Sequence, residues 1–151
     1  MTPPRTAIAV LVPALATQAC HLGVSATKFA PAREPAGIVA RLALNSHELA
    51  GEVLVADEGR LLVVCRERRR LVGSKPLAEP CRQLVFVPYA LIRKAWFVQF
   101  SHVKLEGGRP PSTEVLNEIR LLSRYPQGLT SDVFTRLVAA YGQTAVEEEA
   151  P

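Results

Sequence analysis

The sequence predicts a mainly β protein with additional α structure: a small five-stranded antiparallel bent barrel followed by a C-terminal helical hairpin. Over residues 37–105, apolar residues recur in short runs with the period of two that half-buried strands require. Five strands of roughly 5 to 6 residues each bury a core only if their sheet curls on itself. Beyond residue 111 the apolar period changes to that of a helix, which predicts the hairpin.

Turn residues separate the predicted strands. Residues 45–48 divide the first two apolar runs, and Gly51 interrupts the second run. Because glycine has no side chain to pack, Gly51 predicts a bulge or a sharp bend. Residues 67–80, which are rich in arginine and proline, are predicted to form a long loop. The predicted strands cover residues 38–44, 49–55, 60–66, 83–89 and 92–100.

The C-terminal part of the chain carries helix signals. Ser112, and later Thr130 or Ser131, are suitable N-cap residues ahead of apolar stripes, and Gly142 is a suitable stop. Such short helices are not stable alone, so they are expected to pack on the barrel. The predicted organisation is a leader (1–20), a tether (21–36), the barrel (37–105), a linker (106–111), the helical hairpin (112–142) and a disordered acidic tail (143–151).

The composition restricts function only weakly. The chain is 48% hydrophobic and 21% charged, which is ordinary for a globular protein. Its formal net charge is +4 and its pI is about 9.3. Without a single long basic tract, this excess permits contact with nucleic acid or anionic lipid and favours neither.

The first twenty residues have the order of a secretory signal. Arg5 precedes the apolar residues 7–16, and small residues follow. The apolar stretch is too short for a spanning helix, which needs about 20 residues. Cleavage after Ala16 or Ala19 would release a soluble envelope protein, whereas Cys20 resembles the lipidated cysteine of bacterial lipoproteins and would anchor the chain to a membrane. The alternative is an N-terminus retained on a cytoplasmic protein.

Cys65 and Cys81 are a candidate disulfide. Cys65 ends one predicted strand and Cys81 lies just before the next, so antiparallel pairing places them opposite each other at the neck of the loop. A bond closing a loop of this size adds about 3 kcal/mol of stability in the chain-entropy picture, and it persists only in oxidising compartments. Two buried, unpaired thiols are the alternative.

Several strand residues resemble the Sm-like family. Residues 85–92 resemble its short fourth and fifth strands, and the sequence Val-Pro-Tyr-x-x-Ile-x-x-Ala resembles the C-terminal domain of ribosome maturation factor P. This resemblance implies a small barrel of the Sm/SH3-like kind. A second set of residues resembles the first three strands of the family: Leu44, Asn45, Leu49, Gly51, Val53, Asp57 and residues 61–64.

The same resemblance implies ring assembly and the binding of U-rich or A-rich RNA. Arg68, Arg69 and Arg70 are the candidates for phosphate contact, and Tyr89 for stacking on a base. The RNA chaperone branch of the family reads bases with a Lys-His dipeptide where this chain has Pro88 and Tyr89. RNA is therefore disfavoured as the partner.

The sequence offers no catalytic constellation. His21, His47 and His102 lack partners at metal-ligand spacing, and no C-x-x-C pair occurs. A Gly-x-Ser-x-Gly elbow and a phosphate-binding glycine loop are also missing. We therefore expect no metal and no cofactor.

The favoured function is a non-enzymatic binding or assembly module of the bacterial cell envelope. Its partner would be another protein or a second copy, bound at the barrel edge or in a groove lined by Trp96, Phe97 and Tyr141. A cytoplasmic Sm-like RNA-binding protein is the alternative, and a small enzyme or ligand carrier is the third. The candidate partner-binding residues are Arg68, Arg69, Arg70, Tyr89 and Trp96.

Overall fold

The computed structural model describes residues 37–151 as one seven-stranded curled sheet, a half-barrel, with two helices. The helices are α1 (Thr113–Leu122) and α2 (Ser131–Ala140). In sheet order β6-β5-β1-β2-β3-β4-β7 every neighbouring pair is antiparallel except β4 with β7. The strands are β1 (Val39–Ala43), β2 (His47–Ala56), β3 (Arg60–Val72), β4 (Lys75–Pro88), β5 (Lys94–Phe97), β6 (Leu105–Glu106) and β7 (Glu147–Glu148).

The prediction of a mainly β fold with helices is confirmed at this level. The predicted leader and tether, with Cys20, lie outside the described residues. The predicted strand 92–100 is shorter in the structure, because a 3-10 turn (Tyr89–Leu91) precedes it and Gln99 has a positive φ of 71° just beyond β5.

The predicted loop 67–80 is instead the end of β3 and the beginning of β4. The two strands continue as a paired ribbon to a two-residue turn of Gly73 and Ser74, closed by the pair Val72 and Lys75. Gly73 has a φ of 66°, the left-handed conformation that such turns require. Both faces of this ribbon are solvated, so its sequence lacks the apolar alternation that marks a half-buried strand.

The irregularity predicted at Gly51, a bulge or a sharp bend, is present as a shift of strand register. The register between β2 and β3 shifts between Ala50 and Gly51, opposite Glu67 and Cys65. A Cβ atom at Gly51 would overlap the carbonyl oxygen of Val64, so the backbones approach more closely than any other residue would allow.

Two apolar clusters lie on opposite faces of the sheet. Residues from all strands between β6 and β4 meet in the inner cluster, where α1 contributes Leu116 and Ile119. The outer cluster covers β2, β3 and β4, and α2 contributes Leu137 and Val138. The two helices thus bury their apolar residues on different faces of the sheet.

A buried ion pair ties the segment between the helices to the sheet. Arg124 donates to both carboxylate oxygens of Glu52, from Nε at 2.7 Å and Nη2 at 3.0 Å. Their side chains are 9% and 2% exposed. Gly37 donates its amide to the same carboxylate, and Arg124 donates its own amide to the Val53 carbonyl. This pairing compensates the cost of burying both charges.

The C-terminal residues predicted as a disordered acidic tail form β7 instead. Glu147 and Glu148 pair in parallel with Val85 and Phe86 on β4. A run of glutamates has the composition of a solvated tail, and the groups that hold it come from distant strands that the local sequence does not reveal.

Candidate binding surfaces

The outer part of the β3–β4 hairpin, residues 66–82, is called the distal arm below. It projects beyond the core, and every residue from Leu71 to Pro80 is exposed. Leu71, Val72 and Leu77 are 72%, 60% and 45% exposed. Because exposed apolar side chains that lie together are typical of interaction sites, the distal arm is a candidate binding surface.

These apolar side chains occupy both faces of the distal arm. Arg70 lies opposite Leu77 and Val72 opposite Lys75, which places Val72 and Leu77 on one face. Leu71 lies opposite Pro76 on the other face. A partner that covered only one face would leave part of this apolar surface in water.

The distal arm is also the basic part of the chain. It has six basic and two acidic residues, a formal net charge of +4, which equals the net charge of the whole chain. The basic residues are Arg66, Arg68, Arg69, Arg70, Lys75 and Arg82, and the acidic ones are Glu67 and Glu79.

The three arginines singled out by sequence differ in their surroundings. Arg70 donates from Nη2 to both carboxylate oxygens of Glu79, at 3.0 and 3.1 Å, with both side chains about half exposed. Arg69 pairs with Glu67 at 3.0 Å and is 39% exposed. Arg68 is only 25% exposed and its Nη2 lies 2.6 Å from the Glu149 carboxylate. Arg69 and Arg70 thus belong to the open surface, whereas Arg68 is held within the protein.

The predicted disulfide between Cys65 and Cys81 is present at the base of the distal arm. The two Cα atoms are 5.6 Å apart. The bond spans the point where the β3–β4 register shifts, between Cys65 and Glu67. It therefore fixes the distal arm to the buried part of the same two strands.

Tyr89 does not offer its ring to a partner. The side chain is 1% exposed, and its hydroxyl donates to the Asp57 carbonyl at 2.8 Å. Burial, with the nearby Asp57 charge, raises the pKa of the phenol well above its ordinary value, against a smaller lowering by Arg120. Tyr89 is thus a neutral core residue rather than a platform for stacking.

Trp96 lies away from the distal arm, and the residues of the predicted groove are not brought together. Trp96 is 43% exposed on β5, with the Lys94 ammonium 5.1 Å from its ring centre. Strands β1 and β2 separate β5 from the distal arm in the sheet. Phe97 is buried in the inner cluster and Tyr141 packs against the outer one, so Trp96, Phe97 and Tyr141 do not line one groove.

A second polar centre surrounds β7. Glu149 is 8% exposed, and its carboxylate lies between Arg68 and His47, at 2.6 and 3.3 Å. Arg60 reaches Glu148 at 2.6 Å and lies over the Phe86 ring, 3.6 Å from its centre. Sequence reasoning missed this centre, because His47, Arg60 and Glu149 belong to three separate strands or their ends.

A cavity of about 260 Å³ adjoins this centre. Phe86 and Phe134 stack beside it with ring centres 6.2 Å apart. It is lined by Val55, Asp57, Arg60, Leu62, Phe86, Gln127, Gly128, Leu129 and Phe134.

Sequence reasoning also missed the apolar tip of the distal arm. The available signal was the pair Gly73 and Ser74, a typical two-residue hairpin turn between runs that can form strands. Across residues 37–151, no three side chains of His, Cys, Asp or Glu gather as metal ligands. Among the helices of that region, none combines the length and the apolar character needed to cross a bilayer.

Comparison of the chain with protein-family models, with curated proteins and with solved structures found no match.

Proposed function

We propose that this chain is a non-enzymatic binding module of the bacterial cell envelope, and that the tip of the distal arm attaches it to an anionic membrane surface. The observation that carries the proposal is the exposure of Leu71, Val72 and Leu77 on both faces of a ribbon with a net charge of +4.

A lipid interface suits this tip because lipids cover both faces of a hairpin that inserts between them. Apolar side chains on both faces are then removed from water together, while basic side chains nearby stay at the headgroups. Each Lys or Arg near an anionic leaflet contributes about 1 kcal/mol of attraction. Lys75 at the turn and the half-exposed Arg69 and Arg70 provide such contacts.

Two further features support an envelope location. The N-terminal sequence has the order of an export signal, with Cys20 as a candidate lipidation site. The Cys65–Cys81 bond is of a kind that persists in oxidising compartments. A lipid on Cys20 and an apolar basic arm would act as the two signals that stable membrane attachment requires.

A five-stranded Sm-like barrel remains the finer fold assignment within this proposal. It is supported by the register shift at Gly51 and by the curl of the sheet around one inner cluster. The RNA-binding alternative is weaker, because Tyr89 is buried and Arg68 is paired with Glu149.

Co-sedimentation of the full chain with vesicles tests the proposal. We expect binding to vesicles of phosphatidylcholine mixed with phosphatidylglycerol, little binding to phosphatidylcholine alone, and a loss of binding as salt is raised. The double variant Leu71→Ser/Val72→Ser should bind at least about tenfold more weakly, which corresponds to about 1.4 kcal/mol.

Leu121→Ser is the matched control. Leu121 is a large apolar residue that is 76% exposed, and it belongs to α1 rather than to the distal arm. This variant should bind the anionic vesicles as the parent chain does. Equal vesicle binding by the Leu71→Ser/Val72→Ser and Leu121→Ser variants would overturn the proposal. So would a failure of the parent chain to bind anionic vesicles at low salt. Salt-sensitive retention on U-rich or A-rich RNA without vesicle binding would favour the Sm-like alternative instead.

A further inference from the structure

The C-terminal segment lies on the open edge of β4 as an added strand. Glu147 and Glu148 pair with Val85 and Phe86, and the Glu149 amide donates to the Phe86 carbonyl at 2.9 Å. These are the main-chain contacts by which a sheet edge accepts an extended peptide. The backbone of the segment thus contributes part of the contact with the body of the protein.

The Gln143 side chain extends this edge pairing by one residue. Its amide oxygen accepts from the Leu84 amide at 2.7 Å, and its Nε2 donates to the Leu84 carbonyl at 3.1 Å. Gln143 thereby fixes where the segment enters the edge.

Each of the three glutamates contacts a different polar group of the body of the protein, by a hydrogen bond at Glu147 and Glu148 and by ion-pair distance at Glu149. Glu147 accepts from Gln83 at 3.3 Å, Glu148 from Arg60 at 2.6 Å, and Glu149 pairs with Arg68 and His47. Glu149 is the anchor, because it is only 8% exposed and its charge is compensated inside the protein. The site therefore recognises an acidic sequence position by position.

The donors and the β4 edge belong to the folded body, whereas the glutamates belong to the last residues of the chain. The contacts do not depend on the covalent link between the two parts. We infer that the β4 edge at residues 84–86, with Arg60, Arg68 and His47, is a binding site for an acidic extended peptide, and that it takes the C-terminal segment of a second copy in exchange for its own.

A second copy is the occupant that the contacts specify, because it carries the same three glutamates in the same order. Reciprocal exchange between two copies would give a closed twofold dimer with equal contacts in both sites. In the free chain the tethered segment competes at an effective concentration on the order of millimolar. An added segment of native sequence therefore binds measurably only when the resident segment is weakened.

The experiment uses the full chain with Glu149→Lys and a fluorescent peptide of residues 144–151. The lysine faces Arg68, so like charge should expel the resident segment and open the site. Fluorescence anisotropy should show saturable peptide binding to this variant, at least about tenfold tighter than to the parent chain. The same peptide with Glu149→Gln should bind at least about tenfold more weakly to the variant.

Glu58→Lys is the matched control, because it makes the same charge change in an exposed turn. A peptide of identical composition with the glutamates separated controls for simple charge attraction. If Glu149→Lys prevents folding, Glu147→Ala/Glu148→Ala weakens the resident segment without placing a charge in the site. No saturable binding by a folded variant, or equal binding of the rearranged peptide, would overturn the inference. Saturable binding of the native sequence alone supports it.

Discussion

The two halves of the β3–β4 ladder differ in what covers them. The inner half, residues 61–65 with 83–87, lies between the two apolar clusters, and Leu61, Val63 and Leu84 are fully buried. The distal arm continues the same ladder, and nothing among residues 37–151 packs around its tip, where Leu71 is 72% exposed. Both halves have paired strands, so strand pairing does not explain why one half is buried in the core and the other is exposed at the surface.

Within this one pair of strands, the inner half contributes to the stability of the fold and the distal arm to binding. The inner half gains stability from apolar burial on both faces. The distal arm gains little, since its apolar residues stay in water and its ion pairs are exposed. The Cys65–Cys81 bond lies at the boundary between them. Substitutions in the inner half should therefore change the free energy of unfolding, and substitutions in the distal arm should change binding.

The largest difference is expected between two matched ion pairs. Arg124→Ala leaves the buried Glu52 carboxylate without its main partner and should cost about 3 to 5 kcal/mol of unfolding free energy. Arg70→Ala breaks the equivalent two-oxygen contact with the exposed Glu79 and should cost at most about 1 kcal/mol. Urea denaturation of both variants measures the two costs. Similar costs would contradict the expectation that burial, rather than the contact itself, sets the contribution to stability.

Removal of the disulfide should have the next largest effect. The double variant Cys65→Ala/Cys81→Ala should lose about 3 kcal/mol of unfolding free energy, because a loop that closes over sixteen positions becomes free in the unfolded chain. Urea denaturation measures this loss. Alkylation of the parent chain without reductant, followed by mass measurement, provides the control: modification of both thiols would show that the bond is absent.

Tyr89→Phe should have a smaller effect that depends on pH. Loss of the hydrogen bond to the Asp57 carbonyl should cost about 1 kcal/mol at neutral pH. The pKa of Tyr89 is raised in the folded chain, so the unfolded chain loses this proton first as pH rises. Stability is thus fully present below about pH 10 and falls above it.

Tyr89→Phe should make the alkaline loss of stability less steep. Thermal unfolding of both chains between pH 8 and pH 11 measures the slope. An unchanged slope would mean that another group causes the loss, and Tyr141 is the candidate because burial also raises its pKa.

The smallest effect on stability is expected at the tip of the distal arm. Leu71→Ser/Val72→Ser removes apolar groups that are already in water, so the free energy of unfolding should change by less than about 0.5 kcal/mol. The same variant is expected to lose vesicle binding. A large loss of stability would show that the tip packs against something in the folded chain.

The sequence predicted most of the inner half and little of the surface. Alternating apolar runs and the irregularity at Gly51 follow from neighbouring residues, and the Cys65–Cys81 pair follows from the antiparallel pairing of two consecutive strands; each is present in the structure. The extension of β3 and β4 through residues 67–80 escaped prediction because a ribbon exposed on both faces has no apolar period.

The environment of β7 escaped prediction for another reason. Arg60, Arg68 and His47 are brought to the glutamates by strand pairing over long separations in sequence. A run of three glutamates predicts solvation unless these partners are known. The packing of α1 and α2 on opposite faces of the sheet likewise depends on tertiary contacts, which their two similar apolar stripes do not reveal.

Two prolines in β4 have a consequence for behaviour at high concentration. Pro76 lies opposite Leu71, and Pro80 lies opposite Glu67. Because the ladder starts from a two-residue turn, these are the non-hydrogen-bonded pairs, in which the backbone nitrogen of β4 faces away from β3. The outer edge of the distal arm consequently lacks two of the donors that an incoming strand would need. The protein can display an apolar, strand-forming tip and still resist the edge-to-edge growth that leads to fibrils.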